Sequence, residues 1–228
     1  MKDVYPVHEM FHTFQGEGVH MGKPAFFIRL YGCPVHCPWC DSAGTWHPEW
    51  VPKDVTRMPT ADLVAAAVES TARHVVITGG EPCMHDLQML ISGLTKVGLF
   101  VAVETSGAFP ILGNPHWITL SPKKWKKPIQ ANFAVAHEFK FIIETPADIE
   151  FYAELIMMRT RTYEHVWLHP EWRHRDDRAV LNAITEACKL PNSPFRAGWQ
   201  IHKLYNADVL DSRSRKLTPL GGDPKNGY

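Results

Sequence analysis

The architecture of this chain is organised around Ala25-Phe26-Phe27-Ile28-Arg29-Leu30-Tyr31-Gly32-Cys33-Pro34-Val35-His36-Cys37-Pro38-Trp39-Cys40, an apolar strand candidate that runs directly into three closely spaced cysteines. Three thiolates on one short loop can bind three irons of a four-iron cluster and leave the fourth iron open, whereas a fully ligated cluster mainly transfers electrons. The alternative is a structural zinc loop with His36, or a distant Cys or His, as fourth ligand. Closed zinc sites usually show two paired ligand sets, and the sequence has no second Cys-x-x-Cys. The spacing therefore favours the iron–sulfur interpretation.

Length and composition indicate one α/β domain. The 228 residues and a hydrophobic content of 45% are enough for one substantial core. The formal net charge is zero, so no global field directs the chain to nucleic acid or to an anionic membrane. No signal peptide or membrane-spanning run is evident, and three of the five cysteines are clustered, so we expect a cytoplasmic protein in a reducing compartment.

Strand candidates alternate with helix candidates, a pattern typical of repeated βα units around a parallel sheet. Strands are predicted at 25–30, 74–78, 99–103, 117–120, 139–143, 166–168 and 199–201, and helices at 61–71, 86–97, 147–158 and 178–188. These elements assign residues 1–208 to one domain. Residues 209–228 are predicted to form a C-terminal tail outside the sheet, because they are rich in Gly, Pro, Lys and Arg.

Almost every strand candidate ends in a short polar cluster. After the cysteines these are Gly79-Gly80-Glu81-Pro82, Glu104-Thr105-Ser106-Gly107, Ser121-Pro122-Lys123, His169-Pro170-Glu171-Trp172 and His202-Lys203. Parallel βα sheets and barrels collect their active sites at the carboxyl ends of strands. Turn formation alone explains the glycines and prolines, but not charged Glu81, Glu104 and Lys123 in apolar surroundings. The pattern therefore predicts a common active-site mouth.

These motifs resemble those of the radical S-adenosylmethionine (SAM) superfamily, whose pattern is Cys-x3-Cys-x2-Cys with an aromatic residue, here Trp39, before the third cysteine. Nearly the whole chain is further similar to the 7-carboxy-7-deazaguanine synthase family. The matching stretches, in chain order, are Thr13-Phe14-Gln15-Gly16-Glu17-Gly18, Phe27-Ile28-Arg29-Leu30-Tyr31-Gly32-Cys33, Cys40-Asp41-Ser42, Val76-Ile77-Thr78-Gly79-Gly80-Glu81-Pro82, Glu104-Thr105-Ser106-Gly107, Ser121-Pro122-Lys123 and Gln200-Ile201-His202-Lys203. The resemblance implies an α/β fold of the partial (βα) barrel type in a single domain, and a homodimer.

The resemblance also implies the cofactors. A [4Fe–4S] cluster would be held by Cys33, Cys37 and Cys40, and its open iron would chelate the amino and carboxylate groups of SAM. One electron, from a donor such as flavodoxin or ferredoxin, would cleave SAM to methionine and a 5′-deoxyadenosyl radical that abstracts a hydrogen from the substrate. The residues implied in SAM binding are Gly80, Glu81, Ser121, Pro122, Lys123, His169, Pro170, Glu171 and Trp172. Glu81 would accept a hydrogen bond from the ammonium group of SAM.

The implied reaction is that of a lyase in queuosine and 7-deazaguanine biosynthesis. It converts the small-molecule pterin 6-carboxy-5,6,7,8-tetrahydropterin to 7-carboxy-7-deazaguanine with loss of ammonia. The implied substrate contacts are Phe14, Gln15, Gly16, Arg29 and Thr78, and no separate catalytic side chain is assigned. The planar guanidinium of Arg29 suits a carboxylate or the pterin face, and the alternative for this residue is a structural salt bridge on its strand.

Two departures from the family pattern stand out. Ser42 occupies the position of a threonine whose hydroxyl binds Mg²⁺, and because the oxygen is retained we expect Mg²⁺ to bind here. In characterised relatives the chain stops shortly after the Gln-x-His-Lys stretch, and its terminal carboxylate contacts the substrate. Here the chain continues to Tyr228. That contact is therefore lost, replaced by a side chain such as Asp208, or supplied in another way.

Two other functions remain open from the sequence. One is a different radical SAM enzyme, such as an activase of a glycyl-radical protein, which the stretch Gln15-Gly16-Glu17-Gly18 disfavours. The other is a zinc-stabilised module that binds protein or nucleic acid. The basic run Lys123-Lys124-Trp125-Lys126-Lys127 is interpreted as a solvated loop, since no basic stripe extends it.

Overall fold

The computed structural model describes residues 3–157, 163–207 and 210–215. The strands in these ranges are β1 (Val4–Phe14), β2 (Pro24–Leu30), β3 (Arg57–Pro59), β4 (His74–Gly79), β5 (Phe100–Thr105), β6 (Trp117–Leu120), β7 (Glu138–Ile143), β8 (Val166–Pro170) and β9 (Phe195–Ala197). The α-helices are α1 (Thr60–Glu69), α2 (Gln88–Lys96), α3 (Gln130–Val135), α4 (Ala147–Met157), α5 (Arg178–Lys189) and α6 (Ile201–Tyr205). Short 3₁₀ helices occupy Ala43–Thr45, Pro82–Met84 and Trp172–His174.

In the described part of the chain, one sheet contains nine strands in the order β3-β1-β2-β4-β5-β6-β7-β8-β9. Neighbouring strands from β2 to β9 are parallel, whereas β1 pairs antiparallel with both β2 and β3. The order ends at β3 on one side and at β9 on the other, so the sheet stays open. The prediction of an α/β partial barrel is confirmed.

The two faces of the sheet have different roles. On β2, Phe26, Ile28 and Leu30 are buried in a core shared with α1 and α2. Alternate residues of a strand point to opposite faces, and Phe27 accordingly packs in a separate cluster with Phe11 of β1. A second helix-covered core joins α4 and α5 to β6, β7 and β8. The helices therefore cover the outer face and leave the concave inner face for a site.

One prediction of secondary structure is wrong, and one long strand was missed. The strand expected at 199–201 does not form: the last strand in the described ranges is β9, and Ile201 begins α6. A three-residue segment is too short to show a periodicity that separates a strand from a helix. The long strand β1 was not predicted. It is antiparallel and partly exposed, so it does not follow the βα pattern on which the other strands were recognised.

Residues 210–215 of the predicted C-terminal tail lie outside the sheet but pack against it. Asp211 Oδ2 accepts a hydrogen bond from the backbone N–H of His12 at 2.8 Å, and Arg215 Nη1 donates to the Tyr31 hydroxyl at 2.8 Å. The domain boundary expected at residue 208, the side chain of Asp208 and residues 216–228 fall outside the described residues. No helix in the described ranges is long and apolar enough to cross a membrane.

Candidate active site

The three clustered cysteines follow β2 and line one cavity at the carboxyl ends of the parallel strands. Backbone and ring contacts shape their loop. The N–H of Gly32 donates to the Thr45 carbonyl at 2.8 Å, and Trp46 Nε1 donates to Cys40 Sγ at 3.4 Å. The ring of His36 stacks on that of Trp46 with 4.2 Å between centroids. Cys83 and Cys188 are not among the described residues that line the cavity.

The chemistry of the loop fits a cluster. Burial raises the pKa of the Cys37 thiol to about 12 and also raises the pKa values of Cys33 and Cys40. Thiolates in such surroundings need a cationic partner, which iron supplies as it displaces the thiol protons. Among the described residues, no group of three or more His, Cys, Asp or Glu side chains forms a set able to hold a single metal ion. A four-iron cluster binds each thiolate through a different iron, so its ligands stand further apart than those of one ion.

Gly80, at the end of β4, makes close contact with the cysteine loop. A Cβ atom at this position would lie 2.4 Å from the Gly32 carbonyl oxygen and 2.7 Å from Cys33 Cβ. The next residue, Glu81, donates its backbone N–H to that same carbonyl at 2.7 Å. Only glycine permits this approach. Gly80 is therefore needed to keep the cysteine loop in this position and to leave space for a ligand next to it.

Ser121 and Lys123, after β6, line the same cavity as the cysteines. Lys123 Nζ donates to Ser121 Oγ at 2.8 Å and lies 5.5 Å from the ring centroid of Trp39. Burial lowers the pKa of the Lys123 ammonium, while the nearby Cys37 acts in the opposite direction. A buried ammonium next to an open cavity attracts an anionic group.

The structure does not bring six of the residues implied in SAM binding to the described cavity surface: Glu81, Pro122, His169, Pro170, Glu171 and Trp172. Glu81 is 1% exposed. Its carboxylate accepts from Thr105 Oγ1 at 2.5 Å, from the Ser106 N–H at 2.8 Å and from the Cys83 N–H at 3.0 Å. These bonds join the ends of β4 and β5. The contact between Glu81 and SAM stays an untested prediction.

His169 of β8 is also enclosed. It is fully buried, and neither ring nitrogen has a hydrogen-bond partner among the described residues. Burial lowers the pKa of His169 to about 4, so the imidazole is neutral at physiological pH. Trp172 lies next to the cavity wall, because Lys203 Nζ is 5.3 Å from its ring centroid and Lys203 lines the cavity. The contacts of His169 and Trp172 with SAM likewise stay predictions.

The five residues implied in substrate binding all line the cysteine cavity: Phe14, Gln15, Gly16, Arg29 and Thr78. The structural salt bridge considered for Arg29 is present, because its Nε donates to Glu9 Oε1 at 2.7 Å. The two interpretations of Arg29 are therefore compatible. Gln15 Nε2 donates to Glu104 Oε1 at 2.8 Å, which fixes the orientation of the amide in the cavity.

A buried charge network in the cavity was not assigned from the sequence. Lys140 Nζ of β7 donates to Glu17 and, at 3.3 Å, to Glu104 Oε2, and Gln200 Nε2 donates to Glu17 Oε1 at 2.6 Å. Burial opposes both charges, but the attraction between them lowers the pKa of Glu17 and raises that of Lys140. The sequence did contain one signal that Lys140 has a special role, because this charged residue lies between two phenylalanines of a buried strand.

Ser42 lines the cavity beside the cysteines, with Oγ 3.7 Å from Cys40 Sγ. Its carbonyl accepts from Thr45 Oγ1 at 2.7 Å. The adjacent Asp41 also lines the cavity and pairs with Lys203 Nζ at 3.0 Å. A hydroxyl and a carboxylate are oxygen donors of the kind that Mg²⁺ prefers, and Mg²⁺ needs few protein ligands because it retains waters. The residues present therefore fit this ion.

Comparisons with known proteins agree with this geometry. A family model described as a 4Fe-4S single cluster domain matches residues 14–100. The chain is 43% identical over 199 residues to 7-carboxy-7-deazaguanine synthase from Synechocystis sp. (strain PCC 6803), covering 87% of this chain and 91% of that relative. It is 37% identical to the enzyme of that name from Escherichia coli (strain K12), covering 89% of this chain and 98% of the relative.

The fold is similar to the crystal structure of QueE from Escherichia coli, with a TM-score of 0.73 and 34% sequence identity over 86% of this chain and 94% of that chain. The similarity thus extends over most of both chains. These findings together show that the chain belongs to the 7-carboxy-7-deazaguanine synthase family.

Proposed function

We propose that this chain is a radical SAM lyase that converts 6-carboxy-5,6,7,8-tetrahydropterin to 7-carboxy-7-deazaguanine with loss of ammonia, as a step of queuosine and 7-deazaguanine biosynthesis. The observation that carries the proposal is that one cavity is lined both by the three cysteines that would hold the cluster and by the residues that would contact the substrate. Three thiols stand beside Arg29 and Gln15 on its surface. The names of the relatives support the same reaction.

Cys33, Cys37 and Cys40 would hold a [4Fe–4S] cluster, with one iron left for SAM. When bound, the cluster and SAM together supply one-electron radical chemistry that no amino-acid side chain provides. The chain contributes position and enclosure. Trp39 lines the cavity and lies against the Lys123 ammonium, so an apolar ring and a buried cation border the space beside the thiols.

On the SAM side, Lys123 would bind the carboxylate, and Gly80 would let the backbone approach the ligand closely. Lys123 Nζ is oriented by Ser121 Oγ at 2.8 Å, so its ammonium needs little rearrangement to accept an anionic partner. A carboxylate would replace the water that a buried ammonium otherwise needs. Gly80 leaves the end of β4 without a side chain where the cavity meets the cysteine loop.

On the substrate side, Arg29 supplies a planar cation for the pterin carboxylate. The Lys140 network carries one ammonium and two carboxylates, so it has an excess of acceptor oxygens. Acceptors of this kind suit the amino and ring N–H groups of a pterin. Gln15 and Gly16 would pair with the same heterocycle edge, while Phe14 and Phe27 provide apolar surface for the ring.

Four further properties of this chain are proposed from its membership of the family. Ser42 Oγ binds Mg²⁺, which orients the substrate. The electron comes from a small redox protein such as flavodoxin or ferredoxin. The enzyme acts as a homodimer in the cytoplasm. It needs neither nucleic acid nor a membrane as a partner, in agreement with a formal net charge of zero.

The decisive experiment is an anaerobic reaction of the reconstituted chain with SAM, a reductant, Mg²⁺ and 6-carboxytetrahydropterin, followed by mass spectrometry. We expect 7-carboxy-7-deazaguanine and 5′-deoxyadenosine in the native reaction and neither in a Cys37→Ala control. SAM cleavage without deazaguanine would favour an activase. One zinc in place of about four irons and four sulfides per chain would favour a zinc-stabilised module.

A further inference from the structure

Glu9 of β1 connects the cavity to the C-terminal segment. Its side chain is 3% exposed, and it is not among the described residues that line the cavity. Oε1 accepts from Arg29 Nε at 2.7 Å. Oε2 accepts from the backbone N–H of Arg215 at 2.6 Å and from the Ser214 hydroxyl at 3.3 Å. One buried carboxylate therefore bonds a cavity-lining guanidinium through one oxygen and the C-terminal segment through the other.

The C-terminal segment, residues 210–215, has anchors of its own on β1 and on the end of β2. Asp211 Oδ2 accepts from the His12 N–H at 2.8 Å, and Arg213 Nη2 pairs with the same oxygen at 2.7 Å. Arg215 Nη1 donates to the Tyr31 hydroxyl at 2.8 Å. The contacts with His12 and Tyr31 join residues far apart in sequence, and they fix the position at which the Arg215 N–H meets Glu9.

The position of Arg29 depends on this arrangement. A buried carboxylate is costly unless its oxygens are hydrogen-bonded. Without the two donors from the segment, Oε2 of Glu9 would be buried and unsatisfied, so the carboxylate would rotate or admit water. Arg29 would move with it, because its Nε is bonded to the same carboxylate. A cavity residue is thus linked through one buried carboxylate to residues 214 and 215.

We propose that Ser214 and Arg215 are positioning residues that act through Glu9 on Arg29, and that the C-terminal extension thereby sets the affinity for the substrate carboxylate. The inference rests on the proposed function, in which Arg29 binds that carboxylate. A guanidinium held in one orientation can offer two parallel hydrogen bonds to a carboxylate, and a rotated one loses this match.

Arg215→Pro tests the inference, because proline has no backbone N–H to donate to Glu9. Arg215→Ala is the matched variant, since it keeps that N–H and removes only the side-chain contact with Tyr31. For Arg215→Pro we expect KM for 6-carboxytetrahydropterin and Kd for the fluorescent probe 6-carboxypterin to rise about tenfold. The Kd of unsubstituted pterin and the cleavage of SAM without substrate should not change. Arg215→Ala should have a smaller effect on both carboxylated ligands.

The ratio of the two Kd values separates positioning from general structural damage. An equal loss of affinity for pterin and 6-carboxypterin, or unchanged affinity for both, would overturn the inference.

If Arg215→Pro does not fold, Glu9→Gln replaces it, because it keeps the shape of the side chain and removes its charge. A carboxylate-selective loss is again expected, and an unchanged ratio would contradict it. If the native chain binds 6-carboxypterin but forms no deazaguanine, the proposed function fails and the positioning relationship is still measured by the Kd ratio.

Discussion

Gln200 donates its side-chain amide to Glu17 Oε1 at 2.6 Å, although 183 residues separate the two in sequence. Gln200 directly precedes α6, and Glu17 follows β1, so the contact joins the C-terminal part of the barrel to its N-terminal part. The same carboxylate binds Lys140 of β7. The sheet stays open between β3 and β9, but these side chains connect its two halves at the cavity.

The first prediction concerns the cluster ligands. Changing Cys33, Cys37 or Cys40 to Ala is expected to abolish iron retention and SAM cleavage, because a site with three thiolate ligands cannot lose one and keep its cluster. Iron and sulfide analysis of anaerobically reconstituted protein measures this. Cys83→Ala and Cys188→Ala are the controls and should retain the cluster. A requirement for Cys83 equal to that for Cys40 would show that the ligand set is wrong.

The second prediction concerns the contact between β4 and the cysteine loop. Gly80→Ala is expected to lower stability by about 1–3 kcal/mol and to reduce iron content, because its Cβ would lie 2.4 Å from the Gly32 carbonyl oxygen. Thermal unfolding and iron analysis measure the two effects. Gly93→Ala in α2 is a matched control, since its Cβ would meet only side-chain methyl groups, 3.1 Å away. Native iron content in Gly80→Ala would mean that the loop moves without affecting its ligands.

The third prediction concerns Mg²⁺. If the Ser42 hydroxyl binds the ion, Ser42→Ala should reduce turnover and flatten its dependence on Mg²⁺, while Ser42→Thr should preserve both. Deazaguanine formation is measured over a Mg²⁺ titration of each variant. The hydroxyl also stands 3.7 Å from Cys40 Sγ, so iron content serves as the control for damage to the cluster loop. A native Mg²⁺ response in Ser42→Ala would rule out the metal role.

The fourth prediction concerns acid stability. Burial lowers the pKa of His74 to about 4, with His20 and Lys23 adding to the effect. The unfolded chain binds this proton below a pKa of about 6.5 and the folded chain only below about 4, so stability is complete above pH 6.5 and declines between these values. At pH 5 the loss attributable to His74 is about 2 kcal/mol.

His74→Leu should remove that part of the loss of stability. Stability near pH 7.5 should change little, because His74 Nε2 has no hydrogen-bond partner in the part of the chain that the structure describes. Urea unfolding of both proteins at pH 7.5 and pH 5 measures the difference. If the two proteins lose the same stability between these pH values, His74 does not carry the effect.

The cysteine loop and most of the parallel strands could be predicted because their signals are local. The spacing of Cys33, Cys37 and Cys40 and the apolar β-branched run at β4 are complete within a few residues. β1 and α6 were missed because β1 needs its antiparallel partners to be recognised, and Ile201 has too little periodic sequence around it. The five substrate-side residues were named together from the resemblance to the family rather than from a local signal, and the structure places all five on the cavity.

The sequence by itself determined the βα order, the three-thiol loop and the polar strand ends, because each depends on neighbours in the chain. Only the tertiary structure decided which charges pair. Lys140 meets Glu17 and Glu104, and Glu81 is enclosed between β4 and β5 rather than exposed to the cavity. Strand register and strand order set these pairs, and neither can be read from a single charged residue. A buried charge must find a partner across elements, so its role follows from packing rather than from its position in the sequence.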